Sequence, residues 1–135
     1  MVGKLRALNI AQHWEEVMAD KKMPDVTGKG PALSREILGI FKEIERMNGL
    51  SADAMGKIKG TCQSKGAEME AMLGRAYMKT VKAGEVAWQC KELAAELKDE
   101  ITAGNETRAL EVLDKIDKDL GNLIHTAKTF VIRMT

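Results

Sequence analysis

Few residues in this chain are of a type that could do chemistry, and their spacing limits what they could do. The two histidines, His13 and His125, lie far apart, and neither has a Glu three residues before it. A di-iron bundle needs two Glu-x-x-His motifs with two further Glu on facing helices. Cys62 and Cys90 are 28 residues apart, whereas thiolate zinc sites use cysteine pairs at short spacing. An activated thiolate needs a histidine or a helix N-terminus beside it, and Trp88-Gln89-Cys90 supplies neither. Both cysteines fall on an apolar seam, where a thiol usually serves as a small core side chain. The expectation is no metal, no cofactor and no catalytic residue.

Phosphate binding is suggested at two places, of which Gly28-Lys29-Gly30 is too short to cradle a phosphate. Gly56-Lys57-Ile58-Lys59-Gly60, followed by Thr61-Cys62-Gln63-Ser64-Lys65-Gly66, has a loose look of a P-loop. The Walker order, however, needs Gly-Lys followed by Ser or Thr after a strand, and here Lys65 precedes its Gly. Gly56 and Gly60 are better read as allowing a neighbouring helix to approach. Lys57, Lys59 and Lys65 remain the local candidates for an anion contact. Lys65 and Lys79 lie on the apolar seam itself, so they either snorkel at its edge or pair with acids such as Glu111, Asp114 or Asp117. Ile116-Asp117-Lys118-Asp119-Leu120 resembles the opening helix of the all-helical chorismate mutases, but the spaced Arg, Lys and Glu residues on which those enzymes depend have no counterparts here.

The elements that would carry these residues are helices. Residues 3–21 place Leu8, Ile10, Ala11, Trp14, Val17 and Met18 on one broad side of a helix, and 22–30 form a loop. Pro31 opens a second helix over 31–48, where its fixed φ is an advantage, and Asn48-Gly49-Leu50 closes it. Ser51 is an N-cap with Asp53 in the first turn. From Met55 to Leu97 one seam runs at spacings of three and four, and glycines at 56, 60, 66, 74 and 84 interrupt it. Gly84 is the expected break, giving helices over 51–83 and 85–103, with one continuous helix as the alternative. Gly104 and Asn105 then cap a last helix over 105–134, whose stripe is Leu113, Ile116, Leu120, Leu123, Ala127, Phe130 and Met134. Alternation of three and four is the spacing of a left-handed helix-packing seam. The expected fold is all-α, an elongated antiparallel bundle of four to five helices with coiled-coil-like hairpin packing, in a single domain.

Composition agrees with this. The chain has 135 residues, 44% hydrophobic and 30% charged, with 9 Met, 2 Pro and only 4% aromatics. That length can bury a core without staples, and a net charge of +1 offers nucleic acid or anionic membranes no bulk attraction. Residues 51–83 carry six Lys or Arg against three Asp or Glu, and 84–104 carry two against five. These charges are a solvated surface, or antiparallel neighbours neutralise each other, or copies meet head to tail. No stretch approaches the ~18 apolar residues of a membrane span. No signal peptide is visible, so a reducing cytoplasm is the default, although signal-independent export or a virion would leave the same sequence.

Functionally, this pattern predicts a non-enzymatic protein–protein interaction or assembly protein, self-associating as a structural subunit or adaptor. In layout alone, its long hairpin with an apolar last helix resembles the subunits of helical secretion filaments, and phage or virus structural proteins fit equally. The partner surface is expected at Tyr77, Trp88, Phe130, Val131, Ile132 and Met134. Val131 and Ile132 lie off the main seam of the last helix and would need cover on a second side. The alternative is a nucleic-acid-binding or regulatory protein using the basic 51–83 segment.

Overall fold

The computed structural model describes residues 24–134, with side chains through Phe130. The helix expected over 3–21 lies outside the described residues, as do the side chains of Val131, Ile132 and Met134. Four helices follow: α1 (Gly30–Glu45), α2 (Ala52–Met72), α3 (Val81–Ala103) and α4 (Glu106–Met134), with a short 3₁₀ turn, Ala76–Lys79, between α2 and α3. The described residues contain no strand.

The helices form an elongated bundle with a square cross-section. Packing runs α1–α2, α2–α4, α4–α3 and α3–α1, while the diagonal pairs α1/α4 and α2/α3 share no packed face. Cross-helix contacts give the directions. Glu36 pairs with Lys91 and Glu43 with Lys98, so α1 and α3 run parallel. The Ser51 N–H donates to Glu106 at one end of α2 and α4, and Lys65 meets Asp117 further along, so these two are also parallel. Two antiparallel hairpins, α1–α2 and α3–α4, thus lie side by side. The link from α2 to α3 must cross the bundle diagonally, and in doing so it closes that end. Tyr77 and Met78 of the 3₁₀ turn are accordingly buried.

Most boundaries follow local chemistry. Ser51 Oγ accepts from the Ala54 N–H at 3.2 Å, satisfying one of the orphan amides of a first turn. Gly104 at φ 74° ends α3 in the left-handed conformation, and Asn105 Oδ1 accepts from Arg108 N–H. The helix expected over 31–48 ends earlier, at Glu45. Gly49 (φ 155°) lies beyond it, and a Cβ there would press on the Ile101 carbonyl.

The expected break at Gly84 is not where the chain breaks. The seam is interrupted between Met72 and Val81, and Gly84 lies inside α3. Thr80 explains this: its backbone is extended, and its Oγ1 accepts from the Ala83 N–H at 3.1 Å, making it the N-cap. Gly84 serves packing instead. A Cβ there would run into the Val26 carbonyl and side chain, just as one at Gly30 would run into the Met78 carbonyl. Gly56 and Gly60, read as close-approach points, face open space.

The core takes the seam residues as expected. Ile58, Met69, Leu97, Ile116 and Leu120 are fully buried, and Val26, Leu33 and Ala87 form a smaller cluster, with Trp88 packed half-buried at its edge.

Candidate interaction surfaces

The thiols are core groups. Cys62 and Cys90 are buried. Burial, helped by the nearby Glu45 carboxylate for Cys62 and Asp119 for Cys90, pushes each up to about 12. Thiolate, the reactive form, is therefore suppressed at both. Tyr77 is also raised by burial. Its ring meets Phe130 at a centroid separation of 5.5 Å and an angle of 54°, a tilted arrangement that favours aromatic contact. No group of three His, Cys, Asp or Glu among the described residues could hold a metal ion.

The residues expected to face a partner are therefore divided. Tyr77 and Phe130 come together at the connector end, where they join the core. Trp88 packs against the smaller cluster on the α1–α3 side. The three lysines do not converge. Lys65 is committed to Asp117 at 3.5 Å and Glu68 at 3.8 Å, one of the pairings the seam allowed. Lys57 and Lys59, two residues apart on α2, point to different sides of it. Lys79 is exposed in the 3₁₀ turn.

Two surfaces stand out. The first is the connector end. Ion pairs and lining residues place the start of α3 opposite about residue 127 of α4, so α4 continues for roughly seven residues, about 10 Å, past the start of α3, with the 3₁₀ turn packed on the first part of that stretch. Val81, the exposed large apolar side chain among the described residues at 47%, lies at this same end. Sequence reasoning did not single out Val81, which reads as one more apolar residue inside a helix over 51–83 until Thr80 is seen to start a new helix.

The second surface is a groove along the outer α3–α4 face. One cleft of about 560 Å³ is lined by Glu92, Leu93, Glu96, Asp99, Glu100 and neighbouring residues. Another, of about 230 Å³, is lined by Tyr77, Lys82, Val86, Leu123 and others. Gln89 and Asp119 border both, so the two are one continuous groove. Its electrostatics follow from how α3 sorts its charges. Lys91 and Lys98 turn toward α1 and are paired there. The carboxylates turn the other way, and of these Glu96 has an ion-pair partner among the described residues, Arg108 at 2.8 Å. The net negative charge of 84–104 was visible in the sequence, but its concentration on one face was not. Neutralisation by the basic 51–83 segment does not occur, since α2 and α3 occupy diagonal corners.

No protein-family model, curated protein or solved structure matches this chain. Among the described residues no helix is long and apolar enough to cross a membrane.

Proposed function

We propose that this chain is a non-enzymatic assembly protein, a self-associating structural subunit or adaptor whose contact surface is the connector end of the bundle. The observation that carries the reading is the extension of α4. Its helix continues to Met134, about two turns beyond the helices that flank it. The sequence of that stretch includes Val131, Ile132 and Met134, and Val81, at the start of α3 and so at the same end of the bundle, is exposed. A helix end of apolar sequence that runs past its flanking helices is a place where another subunit gains by covering it.

Truncation tests this. Removal of residues 131–135 is expected to leave helix content and thermal unfolding close to those of the intact chain, because the described core ends near Ala127 and Phe130. It is also expected to abolish concentration-dependent association in sedimentation. Association that persists unchanged after truncation would place the contact elsewhere and overturn the assignment.

A further inference from the structure

The α3–α4 groove needs an occupant with an apolar stripe, cations at one end and length to match. It spans α3 from Lys82 to Glu100, about 27 Å at ~1.5 Å per residue. Its floor is Val86, Leu93 and Leu123, each at least partly buried. Its charges are ordered: Lys82 stands at the connector end, and Glu96, Asp99 and Glu100 at the other.

We propose that residues 3–21 of the same chain fill this groove as a helix antiparallel to α3, completing the bundle as a fifth member. Three independent features agree. The first is length, since a helix over those residues is about 28 Å long. The second is point of entry. Val26 is buried with its carbonyl at Gly84, in the first turns of α3, so the chain arrives at the connector end of the groove. Residues 22–25 can span up to ~13 Å, a little under half of the way around a helix about 10 Å across, which brings residue 21 to the near rim of the groove. The third is charge order. With residue 21 at the connector end, Lys4 and Arg6 reach the far end, opposite Asp99 and Glu100. Glu15, Glu16 and Asp20 fall in the half nearest Lys82. The apolar side carrying Ile10, Trp14, Val17 and Met18 is then available to the floor, in the manner of an amphipathic helix laid into a groove. The groove reaches the connector end at Tyr77, but its occupant is a segment of the same chain whereas the α4 end takes another subunit, so dependence on concentration distinguishes the two proposals.

Trp14 reports the docking directly in a full-length Trp88→Phe background, in which it is the single tryptophan. Docked, it is blue-shifted and shielded from iodide at all protein concentrations. Asp99→Lys with Glu100→Lys reverses the far end of the groove while placing cations at a helix C-terminus, where they are tolerated. It is expected to raise the undocked population about tenfold, equivalent to ~1.4 kcal/mol, and Lys4→Glu with Arg6→Glu is expected to restore shielding. Hydrogen exchange on the chain with Trp88 retained gives the same readout should Trp88→Phe fail to fold: residues 5–18 are protected, and the groove reversal removes that protection. A Trp14 already exposed in the parent, or shielding indifferent to the groove reversal, would overturn the proposal. Shielding that appears only as concentration rises would also overturn it, in favour of a groove filled by a second copy.

Discussion

The two sides of α3 are built on opposite principles. Toward α1 the helix presents Gly84 and Ala87, which let Val26 and its carbonyl come close, and its lysines are matched by Glu36 and Glu43. Toward solvent beside α4 it presents a shallow apolar strip, Val86 and Leu93, rimmed by carboxylates. Small residues and paired charges allow two parallel helices to lie together at little desolvation cost. Carboxylates that, Glu96 apart, have no ion-pair partner among the described residues, set beside half-buried apolar groups, do the reverse, leaving a surface whose free energy falls when something apolar and cationic covers it. The same 23-residue helix thus closes the fold on one side and offers a docking surface on the other.

The largest effect that should separate the two sides comes from added bulk. Gly84→Leu drives a side chain into the Val26 carbonyl and should cost about 3 kcal/mol, read as a lowered urea midpoint with unchanged slope. Ala95→Leu, on the groove side of the same helix, should stay within ~0.5 kcal/mol. Equal losses at the two positions would erase the distinction between them.

Alkaline titration probes the closed interior next. Each thiol has a folded value near 12 against an ordinary value of 9.0. Over that interval the unfolded chain has given up protons that the folded chain keeps. Stability is therefore full below about 9 and declines as pH rises toward 12. The corollary is that neither thiol should react with a disulfide reagent at neutral pH until the chain unfolds.

A smaller change, of opposite sign, is expected at Ser34. Its side chain is wholly buried and its Oγ has no hydrogen-bond partner among the described residues. Ser34→Ala removes a desolvated hydroxyl and should raise stability by about 1 kcal/mol. A loss of that size would show that the hydroxyl is satisfied. The smallest effect is expected at the ion pairs flanking α1. Lys91→Met should cost no more than ~0.5 kcal/mol, as exposed pairs usually do, and a urea titration at low and high salt would measure it.

Much of the fold could be read from residue types. Ser51, Gly104 and Asn105 cap as their chemistry requires, and the 3-4 stripe from Leu113 to Ala127 is buried at Leu113, Ile116, Leu120, Leu123 and Ala127. The break before α3 was misplaced because a glycine serves two purposes. At Gly84 it makes room for a neighbouring backbone, and nothing local distinguishes that from a bend. Thr80, with Ala83 three residues later, was the better signal, since a hydroxyl that can accept from the third following amide starts a helix. The groove was less legible still. Charge counts along 84–104 give a sum, but the partition of Lys91 and Lys98 to one face and Glu92, Asp99 and Glu100 to the other depends on which helix lies alongside. That in turn follows from the diagonal crossing of residues 73–80, which no spacing rule announces. The lysine trio is dispersed for a related reason, because proximity in sequence on a helix scatters side chains around the axis.

Sedimentation velocity of the intact chain over a wide concentration range, at low and at physiological salt, tests the assembly reading most directly. The account predicts that the weight-average sedimentation coefficient climbs with concentration and that a species larger than one chain becomes populated. A single compact monomer at every concentration and salt would contradict it.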